Sequence, residues 1–217
     1  MDNLCHTLAG AAYAQAGLKR TARFGSATLM IAANLPDLDV LVFATDVPSV
    51  AFRRGWTHGV LAQALLPVML AAVVYWWGRS RGARFGSLLV LSYIGVLSHV
   101  GLDVLNNYGV RLLMPFASRW FYGDSAFIID PWLWLTLGVG VWLAVKWATV
   151  RPARVALIVA VVYIGALVVS SRVSRNIVTA QWRARHGSEP RSLMVGPLAA
   201  TPFHPMVIIV AGDVFST

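Results

Sequence analysis

Three histidines and five aspartates, His6, Asp37, Asp39, His58, His99, Asp103, Asp124 and Asp130, sit at the ends of apolar segments in a chain of which only 12% is charged. An ionisable group beside hydrocarbon is costly unless it pairs, faces water or binds a metal, so this recurrent placement points to a function. Imidazole and carboxylate donors together suit zinc, manganese or iron, and eight of them exceed what one tetrahedral ion requires. The expected cofactor is therefore a divalent metal, zinc foremost, as two or three ions. Such a site makes hydroxide near neutral pH and holds both the attacking and the leaving oxygen of a phosphoryl displacement.

Taken motif by motif, each donor also has a structural reading. His99 and Asp103 are spaced i, i+4, so on a helix they share a face and can bind one ion or bridge two, or simply satisfy each other inside a bundle. In Asn34-Leu-Pro-Asp37-Leu-Asp39 the proline ends a helix-like segment and leaves two carboxylates on a short extended turn, where either can also cap a helix through 38–44. Thr57 is a candidate cap with His58 in the first helical turn, a place suited to a neutral, metal-binding imidazole or to an interfacial one. Asp130 before Pro131 reads as a helix start or as a ligand, and Asp124 follows Tyr122-Gly123 in the loop before it. Asn106-Asn107-Tyr108-Gly109 reads as a polar turn closing the His99/Asp103 helix, with an asparagine free to contact substrate.

The elements that must position these residues are apolar helices. The chain has 58% hydrophobic residues and a mean hydropathy of +0.66, above the soluble norm of about 45–50%. Windows 60–77, 86–105, 132–148 and 153–170 approach the roughly 20 apolar residues that a spanning helix needs. Segments 4–18 and 24–36 read as shorter helices. The expected fold is all-α: a polytopic membrane bundle of four full spans plus two shorter amino-terminal helices. Residues 1–170 form the membrane-embedded domain, and 171–217 a polar, interfacial connector with a carboxy-terminal apolar segment. The start lacks a basic n-region and a continuous apolar core, so no cleavable signal peptide is expected. Cys5 is the single cysteine, which excludes an intrachain disulfide.

A net charge of +9 raises the question of nucleic acid, and the distribution of the cations argues against it. Lys19, Arg20 and Arg23, then Arg79, Arg81 and Arg84, then Lys146, Arg151 and Arg154 fall in short connections, where the positive-inside bias is read. Those three loops mark one side as cytoplasmic, and the chain hairpins away from each. From Lys19 back to His6 is roughly 20 Å of helix, and from Arg84 forward to His99 roughly 22 Å. Topology thus gathers the eight donors into one layer at the opposite, outer interface. In a bacterium with an inner membrane that side is the periplasm.

Rival chemistries leave no signature: there is no Gly-x-Ser-x-Gly elbow, phosphate-binding Lys-Ser/Thr loop, Cys-x-x-Cys or His-Glu-x-x-His. The sole glutamate, Glu189, lies in a polar stretch. A catalytic base is then an aspartate, with Asp39, Asp124 and Asp130 the candidates, or a metal-activated hydroxide.

At the segments Asp2-Asn3-Leu4-Cys5-His6-Thr7-Leu8, Ala33-Asn34-Leu35-Pro36-Asp37-Leu38-Asp39, Arg54-Gly55-Trp56-Thr57-His58, Ser98-His99 to Asp103 with Asn107-Tyr108-Gly109, and Tyr122-Gly123-Asp124 leading into Ile129-Asp130-Pro131, the chain resembles the YdjM-like bacterial inner-membrane family of metal-dependent hydrolases. That family is distantly similar to zinc-dependent phospholipases C and single-strand nucleases. The resemblance covers residues 1–135 well and the remainder loosely, and the family's chains commonly run past residue 217. It implies that His6, Asp37, His58, His99 and Asp103 are metal ligands.

Together these readings predict a membrane-bound hydrolase that cleaves a phosphoester, a lipid-linked one being the natural substrate at a membrane surface. Arg53, Arg54, Asn107, Arg111 and Arg119 are the expected substrate contacts. Membrane lipids are the expected partners and nucleic acid is not. Two alternatives come from other classes. A divalent-metal transporter or sensor would bind ions near mid-bilayer on discontinuous helices, and a scaffold with a structural metal would have a closed coordination shell.

Overall fold

The computed structural model describes residues 1–46, 48, 52–198, 200–211 and 214–216, and for residues 202, 203, 205, 211 and 214–216 the backbone alone. Among the described residues six α-helices run in order: α1 (Asn3–Gln15), α2 (Gly25–Ala32), α3 (Val60–Gly78), α4 (Phe85–Val104), α5 (Pro131–Lys146) and α6 (Arg151–His186). A 3-10 helix, Leu35–Ala44, continues from α2 at a bend of 50°. Among the described residues three helical stretches are long and apolar enough to cross a membrane: Val60–Arg81, Phe85–Val104 and Arg151–His186; the bent α2 and 3-10 pair would count as a fourth if it is one broken span.

The molecule is mostly helical but not all-α. Strands β1 (Ser192–Leu198), β2 (Thr201–Ala211) and β3 (Val214–Ser216) form an antiparallel sheet in that order, with Val195 opposite Val207. The carboxy-terminal apolar run is β2. Its sequence, Met206-Val-Ile-Ile-Val210, is rich in β-branched residues, and Pro202 and Pro205 before it deny a helix its N–H groups. The expected count of four long spans also changes, because α5 has only 16 residues. Asp130 and Pro131 fix its start, and at its far end Ala148 takes a left-handed φ of 51° that turns the chain into α6. Conversely α6 runs for 36 residues, so the arginine-rich stretch expected as a connector is its outer half as far as His186.

Packed groups of buried side chains make the bundle. Cys5, Ala9 and Ala12 of α1 meet Leu133 and Leu137 of α5 and Ala160 and Leu167 of α6, while Ala32, Leu70 and Val96 join α2, α3 and α4. Small residues dominate these contacts, as expected where lipid removes the hydrophobic drive and close backbone approach must supply the attraction. Large apolar side chains such as Leu65, Val73, Trp76 and Ile158 point outward.

The two ends of the bundle are chemically distinct. Arg154 Nε donates to Ala16 O at 2.9 Å at one end, and Ser171 Oγ donates to Asp124 O at 2.9 Å at the other. Of the 18 basic residues, nine lie in the three short connections of the first end, including Lys19 and Lys146, and the other nine are all arginines.

Candidate metal centre

Two glycines decide how closely the helices bring their donors together. Gly10 lies one turn after His6, and a Cβ there would stand 2.8 Å from Leu29 O, so α1 rests directly on the α2 backbone. Gly95 lies one turn before His99, and a Cβ there would stand 2.4 Å from Ala32 Cβ. The absence of both side chains lets α1 and α4 converge on the carboxy-terminal end of α2. There the backbone carbonyls have no helical partner, and His99 Nδ1 donates to Ala33 O at 2.7 Å.

Asp37 and Asp39 project from the 3-10 helix, rather than from an extended turn or a helix cap, and both are buried. His58 stands in the turn before α3, whose N-cap is Gly59 rather than Thr57. The Thr57 hydroxyl instead joins Asp39 Oδ2 at 3.1 Å and His58 Nδ1 at 3.0 Å. Asp39 also accepts from Arg54 N at 2.7 Å and Arg53 Nε at 3.4 Å, and its Oδ2 lies 3.5 Å from His58 Nδ1.

These contacts fix the imidazoles. A carbonyl only accepts, so His99 carries its proton on Nδ1. The Thr57 hydroxyl donates to the Asp39 carboxylate and therefore accepts from His58 Nδ1. In its neutral form each ring then presents a bare Nε2, and the two Nε2 atoms face each other at 3.1 Å, within hydrogen-bond distance. Asp103 Oδ2 lies 3.4 Å from His58 Nε2 and 3.6 Å from His99 Nε2, and it has no hydrogen-bond partner among the described residues. Asp37 Oδ1 lies 3.9 Å and 3.8 Å from the same two nitrogens.

Four buried donors, from Asp37, His58, His99 and Asp103, thus lie within 4.8 Å of one another and are able to hold a metal ion. Lone pairs converging in this way repel unless a cation stands among them. A tetrahedral ion with ligands at about 2.0–2.1 Å spaces its donors by about 3.3–3.4 Å, and the spacings of 3.1–3.9 Å lie close to that edge. The residues fit a divalent cation, and Ala33 O and Asp39 hold the imidazoles from behind as oriented metal ligands require.

His6 borders this group. Its ring stacks on His99 at 3.8 Å between centroids, and its Nε2 lies 3.2 Å from Asp103 Oδ1, which the Met1 α-amino group also contacts. Asp103 therefore turns one oxygen to His58 and His99 and the other to His6.

The structure does not bring Asp124 and Asp130 to this centre. Asp130 caps α5, accepting from Trp132 N and Leu133 N at 3.0 Å each, and Tyr163 OH donates to its other oxygen at 3.0 Å. Asp124 holds a left-handed φ of 48° and lies 3.7 Å from Arg175 on α6. Among the expected substrate contacts, Arg54 is buried: its guanidinium donates to Asn106 Oδ1 at 2.9 Å, approaches Asp103 Oδ2 at 3.8 Å and stands over the Tyr108 ring. Arg53 and Arg111 join this layer, Arg111 donating to Arg53 O at 3.2 Å. Arg119 and Asn107 line a separate outer cavity.

Sequence reasoning passed over Thr57 as a hydroxyl linking Asp39 to His58, Gly95 as the spacer that admits His99, and Asn106 as the anchor of Arg54. Gly95 at i−4 from His99 was a usable signal. The Ala33 carbonyl, a backbone group, has none.

The uncharacterized protein YfhP of Bacillus subtilis (strain 168) is 24% identical over 145 residues, which are 65% of this chain and 44% of YfhP, so the chain spans less than half the length of that relative. No solved structure matches. The model of the family described as YdjM inner membrane protein matches residues 1–174, a stretch that includes all the helices converging on the His/Asp centre, and the chain belongs to that family.

Proposed function

We propose that the protein is a membrane-embedded, metal-dependent hydrolase acting on a phosphoester at the outer face of the inner membrane, with zinc as its metal. The observation that carries this reading is the convergence of the two bare Nε2 atoms of His58 and His99 with Asp37 and Asp103, four donors within 4.8 Å. Asp37, His58, His99 and Asp103 would hold a divalent ion, which would supply acidification of a bound water and polarisation of a phosphoryl oxygen. The chain's own contribution is orientation and charge. Asp39 and Ala33 O fix the imidazoles, and Arg54 brings a guanidinium to Asp103. His6, beside Asp103 Oδ1, is placed to join a second ion.

The test is elemental analysis of purified protein beside His99→Ala and Asp37→Ala variants, with phosphodiester and phospholipid substrates assayed on the same samples. Bound zinc and hydrolysis in the wild type, both lost in the variants, are expected. Full metal retention in both variants would remove the site.

One observation favours a second reading, a metal transporter or sensor. Asp37 follows the 50° break between α2 and the 3-10 helix, and broken helices are where transporters bind ions. Zinc flux into proteoliposomes without any hydrolysis would select that reading.

A further inference from the structure

Outside the metal centre lies a cavity of about 890 Å³ bounded by the loop before α5, the outer half of α6 and the start of β1. Its volume is in the range of small-molecule sites rather than that of a bare ion. Arg119, Trp120, Tyr122, Arg175 and Arg191 line it. Trp120 and Tyr122 stack with centroids 6.0 Å apart to form one wall.

The cations are only partly neutralised. Two carboxylates share the lining: Asp124 lies 3.7 Å from Arg175, and Glu189 pairs with Arg183, which itself stands outside the cavity. Arg191 makes no ion pair among the described residues, and Arg119 stands over the Phe121 ring at 5.3 Å. That every basic residue at this end is arginine suits bidentate phosphate recognition, which lysine cannot supply.

The height of the cavity narrows the ligand further. On the unbroken α6, Arg175 lies about 36 Å and Thr179 about 42 Å beyond Arg151, at 1.5 Å per residue. With α6 along the membrane normal, Arg151 at one interface and a hydrocarbon core of about 30 Å, both would fall about 6–12 Å past the other edge, at and just above the headgroup layer.

We propose that this cavity holds the phosphate-bearing headgroup of a membrane lipid, gripped by Arg119, Arg175 and Arg191 against the Trp120/Tyr122 wall. Asn106 binds Arg54, which faces Asp103, and its neighbour Asn107 lines the cavity, so the pocket adjoins the metal layer. The assignment names a substrate class for the proposed hydrolysis and rests on that reading for its purpose, while binding itself is tested without turnover.

The experiment is native mass spectrometry of the full chain released from micelles containing the non-hydrolysable phosphonate analogue of phosphatidic acid or, separately, diacylglycerol. Equilibrium dialysis against inorganic phosphate forms a third arm. Retention of the phosphonate lipid over diacylglycerol is expected. An Arg119→Ala/Arg191→Ala double variant should bind it at least about tenfold more weakly, and the corresponding double lysine variant should bind at an intermediate level. Wild-type metal content in each variant reports an intact fold independently of lipid, so loss of lipid with metal retained separates this site from the metal centre. Should the alanine variant fail to fold, the two wild-type lipids and the lysine variant decide. Equal retention of diacylglycerol, unchanged affinity in the double variants, or inorganic phosphate binding as tightly as the lipid would overturn the proposal.

Discussion

Asp39 Oδ2 and His58 Nδ1 lie 3.5 Å apart with the Thr57 hydroxyl bridging them, so the carboxylate would act on an ion held by His58 through the imidazole rather than by touching it. Asp39→Asn should therefore leave the fold intact and weaken metal affinity by about 10–100-fold, the range seen when the partner of a ligating histidine is lost. Competition against a calibrated chelator measures this. Complete loss of metal would instead make Asp39 a direct ligand.

Gly95 offers a test of packing against chemistry. Gly95→Ala should cost about 1–3 kcal/mol from overpacking against Ala32 and should also reduce metal occupancy, since His99 can no longer reach Ala33 O. Gly101, on the same helix, has open space at its Cβ position. Gly101→Ala should be neutral or stabilising by up to about 1 kcal/mol. Detergent-phase thermal unfolding with metal analysis distinguishes the two substitutions.

Asp130→Ala should cost about 1 kcal/mol through loss of the α5 cap and leave metal content unchanged. Asp130→Asn should retain most of that stability. A fall in bound metal in either variant would return Asp130 to the set of ligands.

Burial raises the pKa of the Asp124 carboxyl, and Arg175 offsets only part of that rise. A carboxyl with a raised folded pKa contributes stability that is fully present below its unfolded pKa and is lost as pH rises through the folded value. The melting temperature of Asp124→Asn should thus gain on the wild type as pH is raised from the ordinary carboxylate range. Parallel melting curves across that window would contradict the assignment.

Orientation is accessible through Ser80, exposed in the basic turn between α3 and α4. Cys5 is buried, so the native thiol gives little background. Ser80→Cys in intact cells should react with a membrane-impermeant maleimide only after permeabilisation. Labelling of intact cells would invert the topology and place the metal centre on the cytoplasmic side.

The long apolar helices and the His99/Asp103 pair were legible because apolar length and i, i+4 spacing are local properties of the chain, whereas Asp37 and His58 were brought to them by the placement of the basic turns on one side, which gathered Asp124 and Asp130 as well. Asp130 was legible only as two readings, since a cap and a ligand use the same carboxylate and the choice between them is made by the distant Tyr163. Residues 206–210 were ambiguous because a short apolar run satisfies a strand and a helix equally. The burial of Arg54 could not be read at all: it depends on Asn106 and Asp103, which lie about 50 residues away in the chain.

The unbroken course of α6 carries one more consequence. A helix of 36 residues is a rod about 54 Å long, and it fixes the distance between the basic turn at Arg151 and the arginines near its outer end. The bilayer around it has no such fixed dimension. Lipids with longer acyl chains would draw the outer arginines down among the headgroups and those with shorter chains would lift them clear, a mismatch that tilting of the helix offsets at modest cost, so acyl-chain length tunes how deeply those arginines sit.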